Sequence, residues 1–223
     1  MASAAEQMAA NLSWGQLGKA TELRQRIWFT IGVLIMYRIG TYIPVPGIDG
    51  AALRNFMEQA STGIGGMLSM FTGGALGRMG VFALGIMPYI SASIIVQLLT
   101  SMVPSLEQLK KEGETGRKKI NQYTRYGTVA LALFQAYGLA RSLEAGGLAH
   151  EPGLFFQASV VITLVGGTMF LMWLGEQITA RGVGNGISLI IFVGILAEIP
   201  AALATFFQQG RTGAISTPVI LFV

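Results

Sequence analysis

The sequence contains no cysteine and a single histidine, His150, so disulfides, thiolate-bound metals and histidine clusters are all excluded before any motif is read. Charge is scarce as well. Asp, Glu, Lys and Arg make up 12% of the 223 residues, about half the share of a soluble domain, whereas 52% are hydrophobic. That much apolar surface needs lipid to cover it. No His-Glu pair, nucleophile elbow or pair of intramembrane aspartates is present. Glu198 is the one carboxylate within an apolar run, near its outer end, where an interfacial role is expected. The composition therefore points to no cofactor and no covalent chemistry. A net charge of +4 is no nucleic-acid footprint until the positions of the basic residues are known.

What the chain does have is apolar runs of unequal length, organised around Ser61 to Thr100. The piece Ile64 to Phe71 is Gly-rich and too short to cross a bilayer: even twelve helical residues rise only about 18 Å against a hydrocarbon core of about 30 Å. It is expected to dip in and stop. Such a piece survives at membrane depth only where its open backbone groups meet protein or water, so it implies a cavity. Gly73 and Gly74 then break the chain, and Gly80 to Thr100 is uncharged and long enough to span. Pro88 inside that span removes the bond to the Leu84 carbonyl and predicts a kink, with Ser91 and Ser93 near enough to take up loosened polar groups.

Residues 1–26 form a polar tail ending in Lys19, Arg24 and Arg26. Ile27 to Ile43 reads as the first span, and Pro44-Val45-Pro46-Gly47 after it is a stop, not a signal-peptide cleavage site. Arg38, inside this span, either snorkels to the interface or pairs within the bundle. Residues 44–60 are polar, with a short surface helix opened by Asp49. Residues 101–125 are the most charged stretch and read as an aqueous loop. Further spans are predicted at Tyr126 to Ala140, Leu154 to Leu174 and Ile187 to Ala204. The turn GEQITARGVGNG between the last two lacks the Lys-Ser/Thr ending of a phosphate loop and follows a membrane helix. Its Gly182, Gly184 and Gly186 permit a tight turn instead. Residues 205–217 are polar again, and the apolar run from Pro218 to Val223 is expected to open a sixth span of a truncated chain.

The basic residues set the orientation. With a cytosolic N-terminus, that side collects Lys19, Arg24, Arg26, Lys110, Lys111, Arg117, Lys118, Lys119, Arg125 and Arg181, against Arg54, Arg78, Arg141 and Arg211 opposite. This is a clear positive-inside bias. It makes the 101–125 segment either a docking surface for a cytosolic partner or a topology signal alone.

Four stretches resemble one family: YRIGTYIPVPGID at 37–49, GGALGRMGVFALGIMPYISASIIVQLL at 73–99, KKEGETGRKKINQYTRYGT at 110–128 and GTMFLMWLGEQITARGVGNGIS at 167–188. They are similar to the N-terminal half of SecY, the family of the central subunit of the bacterial protein-conducting channel. The resemblance implies an all-α membrane protein, one half of a clamshell of two five-helix halves around an hourglass pore. The five-helix unit would be residues 27–204, with the hinge and the start of the sixth helix at 205–223. The plug that closes the pore would lie at 61–74, its apolar part being Ile64, Gly65, Gly66, Met67, Leu68, Ser69, Met70 and Phe71.

The same resemblance implies a pore ring at Ile86, Ile90, Ile187 and Ile191. Each pair is spaced four apart, on one helix face. Branched apolar side chains offer water and ions no hydrogen bond, and a narrow ring of them can gate by dewetting. A lateral gate releasing hydrophobic segments into lipid would use Ser91 and Gln135, whose polar groups cost energy if unpaired at membrane depth. Either could instead cap a neighbouring carbonyl. Lys110, Lys111, Arg117, Lys118, Lys119, Arg125 and Arg181 would face the docking side. Implied partners are SecE clamping the halves, peripheral SecG, the SecA motor ATPase, the ribosome, and the signal sequences of secretory proteins, in a bacterial inner membrane and without direct nucleic-acid readout.

Two other classes fit the apolar composition. A secondary transporter would place ionisable ligands near the midplane, where this chain has isoleucines. A structural subunit of a membrane complex would need neither a re-entrant piece nor a kinked span.

Overall fold

The computed structural model describes residues 21–50, 52–53 and 72–211, with the backbone alone at 201 and 205–211. In chain order the helices are α1 (Thr21–Gly40), α2 (Met87–Met102), α3 (Pro104–Lys111), α4 (Glu114–Ala145), α5 (Leu154–Arg181) and α6 (Gly186–Arg211). Among the described residues there is no β-strand, only the isolated antiparallel bridges Pro44 to Gly80 and Ile48 to Ala149. Residues 50, 52 and 53 are helical, and the Asp49 carboxylate accepts the Ala52 N–H at 3.4 Å, so the predicted start at Asp49 is in place.

Each of the five predicted spans overlaps a helix, but several boundaries and the character of some elements differ. α1 begins six residues before Ile27, inside the predicted tail. The presumed loop 101–125 is helical along most of its length: α3 lies across the end of α2, and α4 starts at Glu114. Charge marks that stretch as wet, but a wet helix with Lys and Glu on its surface satisfies its own backbone as well as a loop does. α6 continues through Arg211, so 205–211 is helix and not loop. Residues 212–223, with the predicted sixth span, lie outside the described residues.

The largest departure concerns the second span. Gly80 to Ile86 is a run of turns, and the helix begins only at Met87, with Pro88 in its first turn. There the missing N–H of proline is one that no helix could have satisfied, so Pro88 starts α2 and does not kink it. α2 is then 16 residues, about 24 Å, and the chain bends by 100° into α3. By length and composition, α5 and the Gly186–Ala204 part of α6 are apolar enough to cross a membrane, and α2 with α3 makes a third if the bent pair is one span. α1 falls short because it holds Arg24, Arg26 and Arg38, and α4 because polar residues such as Gln135 dilute its apolar run.

Two clusters hold the helices together. One joins α4 and α5 with the chain around Val45, Leu53, Met79, Ala83 and Leu148. The other joins α1, α5, α6 and residues 75–90 through Val33, Tyr37, Phe82, Ile86, Leu171, Leu174, Ile178 and Ile190. α4 contributes a seam of small buried residues, Thr124, Thr128, Ala132, Ala136 and Ala140, repeating every fourth position. Small residues at that spacing let helices approach closely where lipid gives no hydrophobic drive for association. The outer surface is strongly apolar: Phe134, Ile162, Leu154 and Phe155 are 79%, 71%, 84% and 89% exposed.

Candidate functional site

The turns of 72–86 are held by backbone pairing and by α1. Gly73 and Gly74 have φ of +62° and +77°, a left-handed conformation that side chains resist. A Cβ on Gly73 would also press on the Gly194 backbone of α6. Val45 donates to the Met79 carbonyl at 2.9 Å, and Val81 to the Ile43 carbonyl at 2.8 Å. From α1, Arg38 Nη1 donates to the Gly73 carbonyl at 2.7 Å, and the Tyr37 hydroxyl to the Thr72 carbonyl at 3.5 Å. Arg38 therefore pairs within the bundle, the second of its two predicted roles. The Tyr42 ring carries both Arg38 and Arg78, at 5.3 and 4.5 Å from its centroid. A file of rings, Tyr37, Phe82, Phe170 and Trp173, runs from α1 through this segment to α5, with centroids 5.8 to 6.1 Å apart.

This scaffold presents the four isoleucines. Ile86 caps α2 and does not belong to its helical face: its φ and ψ are −96° and 0°, and its carbonyl accepts the Ile90 N–H at 3.1 Å. Ile86 is buried in the second cluster, and Ile90 and Ile187 pack against that cluster half-buried. Ile191 is half-buried one turn along α6 and lies outside the cluster, while its neighbour Ile190, 2% exposed, fills the α5–α6 contact. Three of the four thus share one apolar cluster. The helix-face spacing argument applies to Ile187 and Ile191 but not to Ile86. The plug residues Ile64 to Phe71 lie outside the described residues; of the predicted 61–74 segment, 72–74 form the tethered turn.

Gln135 is half-buried and lines an apolar cavity of about 450 Å³ with Thr72, Leu76, Leu84 and Met87; Ser91, also half-buried, does not line it. The predicted docking residues are not equivalent. Arg125 is engaged in a two-pronged pair with Glu176 of α5, at 3.0 and 2.6 Å, tying α4 to α5. Lys111 pairs with Glu107 at 2.8 Å. Lys110 and Arg117 line a polar cavity between α2 and α4, and Arg181 lines another beside α1. Lys118 and Lys119 are exposed.

The α5–α6 turn forms as its glycines predict. Gly184 has φ +77°, the Asn185 side chain accepts the N–H groups of Ile187 and Ser188 at 3.1 and 3.3 Å, and Thr179 Oγ1 accepts that of Gly186 at 2.9 Å. These bonds cap α6 and fix the rotation at which Ile187 emerges. The sequence reading passed over Asn185 and Thr179, although Asn two residues before an apolar run is an N-cap signal. It also passed over Tyr37 and Phe82, whose roles depend on contacts 35 and more residues away. Glu198, assigned to the interface, has its carboxylate lodged against Gly74.

Residues 80–223, well over half of the chain, match the SecY family model. The protein translocase subunit SecY of Escherichia coli K12 is 56% identical over 210 residues, which is 92% of this chain and 47% of that protein. The corresponding subunit of Rickettsia typhi is 54% identical over 209 residues, 92% of this chain and 48% of its own length. The chain thus spans about half the length of these curated relatives. Among solved structures, a protein-conducting channel overlays 86% of this chain and 42% of its own with a TM-score of 0.61 at 21% identity. A SecY whose plug domain stabilises the closed channel overlays 86% and 41% with a TM-score of 0.58 at 20% identity. At those identities the overlays establish the fold alone, and the family model matched over residues 80–223 shows that this chain belongs to the SecY family.

Proposed function

We propose that the chain is the N-terminal half of the pore-forming subunit of a Sec translocase, passing unfolded polypeptide across the bacterial inner membrane and releasing hydrophobic segments sideways into it. The observation that carries this reading is the apolar waist: Ile86, Ile90 and Ile187 in one cluster at the point where the tethered turns of 72–86 enter α2. Ile191, one turn beyond Ile187, completes the ring together with side chains of the opposite half of the clamshell. In the resting channel the ring excludes water because its branched apolar side chains offer ions no hydrogen bond, and the plug at Ile64 to Phe71 fills the space beside it. A passing chain moves the ring side chains aside without breaking hydrogen bonds among them. Ser91 and Gln135 serve the lateral gate, where a hydrophobic segment competes with weak polar pairing.

The N-terminus faces the cytosol, which puts Lys110, Lys111, Arg117, Lys118, Lys119 and Arg181 on the side of a motor such as SecA or of a ribosome. Arg125 belongs to the same face but acts through Glu176. SecE and SecG complete the assembly, and signal sequences enter from the cytosolic side. The transporter reading would place ionisable ligands at the midplane, where the matching positions Ile86, Ile90, Ile187 and Ile191 are isoleucines. Deleting residues 64–72 from the full-length protein tests the reading. Ion leak through planar bilayers is expected to rise well above wild type, and leak identical to wild type would refute a plug in that segment.

A further inference from the structure

The turn between α5 and α6 is held from two sides by threonines. On one side Thr30 of α1 donates its hydroxyl proton to the Arg26 carbonyl at 2.8 Å and accepts the Val183 N–H at 3.1 Å. On the other, Thr179 of α5 donates to the Gly175 carbonyl at 2.9 Å and accepts the Gly186 N–H at 2.9 Å. Both use one device: the proton goes back four residues into the threonine's own helix, which leaves a lone pair turned outward for the backbone of the turn. The Thr30 bond caps neither helix, since Val183 lies past the end of α5 and three residues before α6. Its effect is to tie the turn to α1.

Close approach makes the tie stiff. A Cβ on Gly182 would meet Thr30 Oγ1, one on Gly186 would meet the Gly175 carbonyl, and one on Gly175 would come within 2.9 Å of Ile187 Cγ1. From Thr30 to Ile187, therefore, no long side chain lies between the parts to absorb a displacement. Thr30 is itself on the buried face of α1 with Val33 and Tyr37, which join Ile86 and Ile190 in the second cluster. Turning α6 about its axis drags so short a turn with it, and the bond to Thr30 opposes that rotation.

We propose that Thr30 is a positioning residue of the pore: through Val183 and the turn it fixes the rotation of α6, and so which α6 side chains stand in the ring. The inference rests on the ring assigned above to Ile187 and Ile191. Its test is cross-linking of the full-length protein to a secretory polypeptide arrested in transit, from single Cys substitutions at Ile190, Ile191 and Phe192, which read the rotation directly. With Thr30 intact, adducts should concentrate at Ile191. In Thr30→Val the ratio of adducts at Ile191 to those at its two neighbours should fall about fivefold, the equilibrium weight of one neutral hydrogen bond. Thr179→Val, at an exposed position, should lower it from the other side of the turn. Thr30→Ser, which keeps the hydroxyl, should hold the ratio near wild type, as should Thr163→Val, whose hydroxyl bonds the Ser159 carbonyl of its own helix. Strong adducts at Ile191 whose ratio is unchanged in Thr30→Val, or falls equally in Thr30→Ser or Thr163→Val, would overturn the positioning role alone. No adduct at Ile191 with Thr30 intact would overturn the ring as well.

Discussion

Arg38 shows how one polar side chain organises an apolar bundle. Its guanidinium lies inside a helix of span length yet reaches the Gly73 carbonyl, whose left-handed turn leaves that oxygen facing α1. A hydrogen bond from a charged donor contributes about 1.5–3 kcal/mol net, and a buried carbonyl left without it costs a similar amount. Arg38→Met is therefore expected to loosen residues 72–80 locally by about 2 kcal/mol. Amide exchange there should quicken about 30-fold while exchange in α5 is unchanged, and Arg38→Lys should recover part of the protection. Exchange at the wild-type rate in the Met variant would mean that the backbone pairing with residues 43–45 holds the turn alone. The sequence left two roles open for Arg38, because a basic residue at that depth fits both and the carbonyl that decides between them is 35 residues away.

Elements show the same division between what neighbours in sequence can decide and what they cannot. Helices α4, α5 and α6 lie where their apolar runs predict, and the glycine-rich turn before α6 could be read because its chemistry is local. The start of α2 could not. Pro88 inside an uncharged run looks like a kink until the turns of 72–86, held by Arg38, Ile43 and Val45, take up the residues before it. Likewise, charge located the water around 101–125 but carried no information on whether the backbone there was helical. The small-residue seam of α4, Ala and Thr at every fourth position, was not singled out from the sequence; its burial gives the repeat its meaning. Ala136 is fully buried against the neighbouring elements, so Ala136→Leu is expected to cost about 1–3 kcal/mol by overpacking. Thermal unfolding of the full-length protein in detergent should show a lowered midpoint, with Ala130→Leu on a less buried position as the comparison. Equal midpoints for the two variants would remove the seam from the account.

At the scale of the molecule, the basic residues gather at one end, where α4 meets α5 through Arg125 and Glu176 and α1 meets α5 beside Arg181. Arg38 and Arg78 flank Tyr42 near the other end, where Glu198 rests on Gly74. Between the two ends lies the apolar cluster of Ile86, Ile90 and Ile187, which we propose as the waist of the pore. Its position came from family resemblance, since isoleucines four apart in a membrane helix resemble ordinary packing until a long-range cluster gathers them. The most direct measurement of that waist is disulfide or photo-crosslinking to a secretory polypeptide arrested in transit through the full-length protein. Single Cys substitutions would be made at Ile86, Ile90, Ile187 and Ile191, with Leu154 and Ile162 on the exposed outer surface as controls. The account predicts adducts at all four waist positions and none at the controls. Adducts as strong at Ile162 as at Ile86, or none at any of the four, would contradict it.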